Sequence, residues 1–179
     1  MPDLSPLQQA AALLMLSLPC AAETLQVSAG HFEVRHRAVV KATPAEVYAA
    51  MLQLPRWWHP QHTWSRDARN LSLDPVAGGC WCERWGDGAS AQHARVLQVQ
   101  PGRMILLQAA LGPLQLLPAQ GLFTMITAEQ DGQTVMRLSY RVSGAPELAL
   151  DRLAPAVDEV LATQFARLKA LVETGAVPP

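Results

Sequence analysis

Between residues 31 and 41 (HFEVRHRAVVK) apolar and polar positions alternate. Phe32, Val34, His36, Ala38 and Val40 share one face, and Glu33, Arg35, Arg37 and Lys41 lie with Val39 on the other. A period of two is the mark of a strand with one buried face. The next residues, Thr43-Pro44-Ala45-Glu46, predict a helix start. The Thr43 hydroxyl can cap free amides, Pro44 suits the first helical position, and Glu46 can reach back to complete the box. Val47, Ala50, Met51 and Leu54 then recur at helical spacing until Pro55 ends that helix, and a second short helical region runs toward Pro60. From about residue 69 the pattern returns to strands. Segments 70–74, 79–85, 91–100 and 103–110 are separated by Gly78-Gly79, Asp87-Gly88 and Pro101-Gly102. Segments 122–130 and 133–142 flank Asp131-Gly132, a strong hairpin signal. Connections this short imply a mostly antiparallel sheet. In the last strand Met136, Leu138, Tyr140 and Val142 share a face. The chain closes on an apolar stripe in which Leu153, Val157, Val160, Leu161, Gln164, Phe165, Leu168, Leu171 and Val172 recur at three and four. That is a long amphipathic helix, expected to begin near Ala154 because Pro155 belongs in a first turn, and closed by Gly175.

Composition narrows the classes. Half of the 179 residues are hydrophobic and 16% are charged, which supplies a core and excludes a disordered chain. A net charge of -1 leaves no excess of Lys and Arg to neutralise phosphates, so no nucleic-acid partner is expected. Residues 10–22 (AAALLMLSLPCAA) carry no charge. The stretch falls short of the roughly 20 apolar residues that span a bilayer, so no stable membrane insertion is expected. It fits the apolar core of a secretory signal, with Ala21 and Ala22 before a cleavage point at Glu23, although the preceding residues hold Asp3 and no basic side chain. Residues 1–22 therefore read as a signal peptide and residues 23–179 as one domain of a periplasmic or secreted protein. The alternative is a misplaced start and a cytoplasmic protein. Three cysteines are too few for a disulfide scaffold. Cys80 and Cys82 share a face of their strand, but bridging them closes a small ring, so two packed thiols are expected over a labile disulfide.

All five tryptophans, Trp57, Trp58, Trp64, Trp81 and Trp85, fall within 29 residues. Trp81, Glu83 and Trp85 share a strand face, opposite Cys80, Cys82 and Arg84. Aromatic walls with a few polar groups make a pocket for a flat or hydrophobic ligand, although tryptophans also simply fill cores. Glu83 between two indoles should have its proton affinity raised by desolvation unless a cation such as Arg95 pairs with it. In the raised state it suits proton transfer or binding of a ligand hydroxyl. His59 and His62 invite a metal reading with Cys80, Cys82 and His93, but Pro60 separates the two histidines and no compact ligand pattern completes the set, so no metal and no cofactor are expected. Either histidine fits a cavity mouth or an exposed loop. His36 reads as a hydrogen-bonded core histidine, and the Tyr140 hydroxyl needs a partner or a ligand. Residues 111–121 (LGPLQLLPAQG) are apolar and broken by prolines. They should cover something, either as a flap over a cavity mouth or by packing on the long helix. There is no Gly-x-Ser-x-Gly elbow and no glycine-rich phosphate loop.

A strand, two short helices, six strands and a long helix make about seven strands in an α+β chain. The helix needs one sheet face to cover, which a strongly curved antiparallel sheet supplies in a helix-grip arrangement. With the segments VVKATPAEVYAAM, RWWHPQHTWS, GGCWCE and VDEVLATQFARLKALV in this order, the chain from about residue 31 to 173 resembles the START and pollen-allergen-like superfamily, particularly its polyketide cyclase-like members and relatives of heat-shock ATPase activators. The resemblance implies a cavity between sheet and long helix that holds a lipid or other hydrophobic small molecule. Trp58, Trp81, Trp85, Tyr140 and Phe165 would line it, and Glu83, His59 and His62 would offer polar or acid-base contacts. The fold alone leaves open a cyclase/dehydratase- or hydrolase-like enzyme in the same cavity, or a protein-interaction module. A monomer or weak dimer is expected.

Overall fold

Eight antiparallel strands form one curved sheet in the order β1-β2-β8-β7-β6-β5-β4-β3. The strands are β1 (Ala21–Ser28), β2 (His31–Val40), β3 (Leu71–Leu73), β4 (Cys80–Trp85), β5 (Ala89–Gln100), β6 (Met104–Ala109), β7 (Gln120–Gln130) and β8 (Gln133–Ser143). The helices are α1 (Pro44–Met51), α2 (Leu54–Trp57) and α3 (Leu150–Thr174). This computed structural model describes residues 21–178. The leader read from residues 1–22 therefore lies outside the described residues, except for Ala21 and Ala22, which open β1.

Local signals act as the sequence implies. The alternating residues of β2, from Phe32 to Val40, are all buried. The Thr43 cap closes α1 reciprocally: Glu46 N donates to Thr43 Oγ1 at 3.3 Å, and Thr43 N donates to Glu46 Oε2 at 2.7 Å. Asp131 and Gly132 both have positive φ, 52° and 72°, as a two-residue hairpin requires. Pro55 starts α2 rather than merely ending α1, which stops at Met51.

Two expectations need correction. The sheet has eight strands, not about seven, because residues 21–28, which overlap the end of the apolar run, pair along β2 as β1. The long helix begins at Leu150, so Pro155 stands inside it. Proline there removes only the hydrogen bond that would run to the Asp151 carbonyl. The extra turn is held from outside: Leu150 is fully buried, and its N–H donates to Ala29 O at 2.8 Å.

α3 crosses β1 and β2, with α1 and α2 against its flank. Two buried polar side chains on α3 tie the chain after α2 to it. Arg167 Nε donates to Trp57 O at 2.9 Å, and Gln164 Oε1 accepts from His59 N at 2.7 Å. Gln164 thus belongs to the stripe because it satisfies a loop amide, not because it is apolar. Among the described residues no helix is long and apolar enough to cross a membrane.

Candidate functional site

α3 shows where the space lies. Leu161, Phe165, Leu168 and Leu171 of its stripe are buried, whereas Leu153, Val157 and Val160 are only half-buried. Those three border a cavity of about 380 Å³. Trp58, Tyr140 and Leu161 close its inner side, and Leu111, Pro113 and Leu114 close another. The wall is mostly apolar, as small-molecule sites are. The Trp58 Nε1 donates to His62 O at 2.9 Å, which fixes the 58–62 turn at the rim. Trp64, 44% exposed, borders the mouth and donates from Nε1 to Gln115 Oε1 at 3.1 Å.

Behind this wall lies a buried carboxylate. Glu83 has no solvent exposure. Its Oε1 accepts from Ser65 N at 2.6 Å, and its Oε2 accepts from Trp64 N at 3.0 Å. The His93 Nε2 stands 2.8 Å from the same Oε2. The consecutive Trp64 and Ser65 amides thus converge on one side chain, just before Arg66, whose φ is 58°. Burial alone would raise the carboxyl's proton affinity. Hydrogen bonds from Ser65, then Trp64 and His93, outweigh it and hold the group below its ordinary value. The expectation of raised proton affinity is therefore corrected. Amide donors and a histidine fill the role considered for Arg95, an exposed residue that lies opposite Cys80 in the strand register.

A β-bulge brings His93 there. Trp81 pairs with Ala94 and Cys82 with Gln92, so His93 is the extra residue on β5. Regular alternation would send His93 and Ala94 to opposite faces, but both are buried. Nothing in the sequence around His93 signals the bulge, and the sequence offers it only as a metal ligand.

The remaining sequence-predicted residues divide between the cavity and its surroundings. Trp58, His62 and Tyr140 border the cavity. His59 stands beside His62, ring centroids 5.6 Å apart, and its Nδ1 accepts from Gln61 N. Desolvation and the neighbouring His59 lower the His62 pKa, against an opposing effect from Glu159. Trp81 forms a second layer behind Trp58, edge to face at 4.7 Å. Trp85 is half-buried at the end of β4, away from the cavity lining. Phe165 is buried outside the lining and stacks on His36 at 5.6 Å. His36 Nε2 lies 3.2 Å from Asp158 Oδ1 without the alignment of a hydrogen bond. Burial lowers the His36 pKa, and Asp158 only partly offsets it. The Tyr140 hydroxyl has its partners in the protein: it donates to Ala109 O at 3.2 Å and accepts from Leu111 N at 3.3 Å. Burial pushes its phenol pKa up. Gly121 makes room for this ring, since a Cβ there would come within 2.6 Å of Tyr140 Cε2. The 111–121 connection covers the cavity at its start, where Leu114 is buried, whereas Leu116 is 79% exposed.

No family model matches the chain, and no curated protein matches it. Solved structures do. Aha1 from Colwellia psychrerythraea, solved as a dimer, matches with a TM-score of 0.54 and 19% identity over 80% of this chain and 97% of that one. CalU16 from Micromonospora echinospora matches at 0.54 and 14% identity over 90% and 86%. A conserved protein of unknown function, EF2215 from Enterococcus faecalis, matches at 0.57 and 11% over 88% and 80%. The likeness is one of fold.

The cysteines differ from expectation. Cys80 and Cys82 form a disulfide, with Cα atoms 5.3 Å apart. Two residues of flat strand advance about 6.6 Å. The backbone is contracted there, beside the register shift between Trp81 and Cys82. Among the described residues no three His, Cys, Asp or Glu side chains gather to hold a metal. A bridge spanning one intervening residue closes a very small loop, so its entropic stabilisation is small. Replacing both cysteines by serine should cost about 1–2 kcal/mol in urea unfolding, with the cavity unchanged. A loss several-fold larger would give the bridge a role in holding the bulge and His93.

Proposed function

We propose that the protein is a START-like binder that holds a hydrophobic small molecule in the cavity between α3, the 58–64 segment and the start of the 111–121 connection. The observation that carries this reading is the half-buried row of Leu153, Val157 and Val160. Apolar residues on a helix stripe leave space uncovered only at a cost, and an apolar ligand removes it. The residues around the space are pinned by Trp58, Gln164 and Arg167, so the site is formed before anything binds. Likeness to Aha1 and CalU16 supports the fold of such a binder. The disulfide fits an exported protein, because such bonds persist in oxidising compartments; export to the periplasm or beyond belongs to the same proposal.

The test uses the neutral fluorophore N-phenyl-1-naphthylamine. Wild-type protein should bind it saturably, and Val157→Trp, which fills the space from a half-buried position, should weaken binding about tenfold or more while the unfolding midpoint stays near wild type. No saturable binding, or binding indifferent to Val157→Trp, would remove the cavity as the site.

A further inference from the structure

The cavity wall carries one polar group whose state is set from behind. His93 is 5% exposed and borders the cavity, so the accessible part of its ring faces that space. Its Nε2 is committed to Glu83 Oε2 at 2.8 Å. Glu83 already accepts from two backbone amides, one at each oxygen. A carboxylate receiving donors from three directions is an acceptor only. The Nε2 therefore carries the proton of the neutral ring, and Nδ1 is left as the acceptor. Nδ1 makes no hydrogen bond to any described residue, yet it is not among the sealed, unpartnered polar atoms of the interior. Among the other polar side chains of the lining, Gln61 and His62 are exposed at the rim, and two buried hydroxyls are already engaged. The Tyr140 hydroxyl is bonded to Ala109 and Leu111, and the Thr63 hydroxyl donates to Pro60 O.

We propose that His93 Nδ1 accepts a hydrogen bond from a ligand hydroxyl, so that the cavity selects apolar molecules bearing a phenolic, enolic or alcoholic O–H over the same skeleton without one. The proposal rests on the reading of the cavity as a binding site and names the chemical class it takes. Glu83 is a positioning residue here: it touches no ligand and acts by holding the His93 tautomer.

The probes are 2-naphthol and 2-methoxynaphthalene, which share a ring system and differ in the O–H. Wild-type protein at mildly alkaline pH should bind 2-naphthol about tenfold tighter. His93→Gln keeps an amide N–H to offer Glu83 and loses the cavity acceptor. It should bind 2-methoxynaphthalene within about twofold of wild type and lose the preference. His93→Asn, whose carbonyl oxygen sits near the position of Nδ1, should restore part of it. In ¹⁵N-labelled wild type, His93 Nδ1 should resonate as an unprotonated nitrogen, and Glu83→Gln should release that tautomer. Equal affinity for the two probes, a preference that survives His93→Gln, or a proton on Nδ1 overturns the proposal while leaving the binding reading intact. If neither probe binds, the binding reading fails and this inference fails with it.

Discussion

Glu83→Ala should lower the stability of the folded protein by about 3–5 kcal/mol, the range for removing one partner of a buried charged hydrogen-bond set. The side chain is fully buried and joins three parts of the chain: the Trp64–Ser65 amides, β4, and the bulge at His93. Its loss leaves those donors without their acceptor. Glu83→Gln should recover only part of this, because its NH2 must face an N–H donor at one of the two oxygen positions. The pH dependence carries the sign of the depressed pKa. A carboxyl held below its ordinary value of 4.5 contributes its full stability above that pH and loses it as pH falls through the folded value. The stability gap between wild type and Glu83→Ala should therefore be constant near neutrality and shrink below about pH 4.5. His36, also lowered, adds an acid loss that starts from its ordinary value of 6.5 as pH falls, but it is common to both proteins and cancels in the difference. Urea unfolding at a series of pH values measures the gap. An effect under about 0.5 kcal/mol would mean water replaces the carboxylate at no cost.

Trp81→Ala should cost a comparable 3–5 kcal/mol or so, whereas Trp81→Phe should stay within about 1 kcal/mol of wild type. The indole is 1% exposed and packs edge to face on Trp58 at 4.7 Å and Phe123 at 5.8 Å. Truncation to alanine empties that volume and removes the support behind the cavity wall, so binding of N-phenyl-1-naphthylamine should fall as well. Phenylalanine keeps an aromatic edge against Trp58. It also removes the Trp81 Nε1, which is buried with no hydrogen-bond partner among the described residues. An unmatched buried donor costs about 1–3 kcal/mol, so its removal offsets the smaller ring. Thermal or urea unfolding of the two variants decides it. If Trp81→Phe proves as damaging as Trp81→Ala, the indole N–H has a partner, such as an ordered water, that stabilises it.

Much of the architecture is local and was readable from the chain. A period of two in residues 31–41, a reciprocal cap at Thr43 and Glu46, an Asp-Gly turn and a three-and-four stripe each rest on neighbours within a few residues. Short-range sterics and hydrogen bonds settle them wherever the segment ends up. The shared face of Trp81, Glu83 and Trp85 was readable for the same reason, as was the burial of Tyr140 with Met136, Leu138 and Val142. The strand β1 was not, because its residues overlap the end of an apolar run and form a strand only against β2. Nor was the start of α3, since Leu150 is held by Ala29, far away in the chain.

The site itself shows the division most clearly. The sequence by itself determined that Glu83 would share a strand face with Trp81 and Trp85; the packing decided that this face would be taken out of water. Whether its proton affinity ended above or below the ordinary value depended on donors 18 and 19 residues away, and on a bulge that added one residue to β5. Alternation determined which residues of β4 shared a face. Only the sheet's register decided that His93 would join them. The apolar stripe determined that α3 would cover a core. Only the packing of the 58–64 and 111–114 segments decided which part of the stripe met other side chains and which part was left facing a cavity. Periodicity records the direction of a side chain from its own backbone; the group it meets there belongs to another segment, and the tertiary structure alone brings the two together.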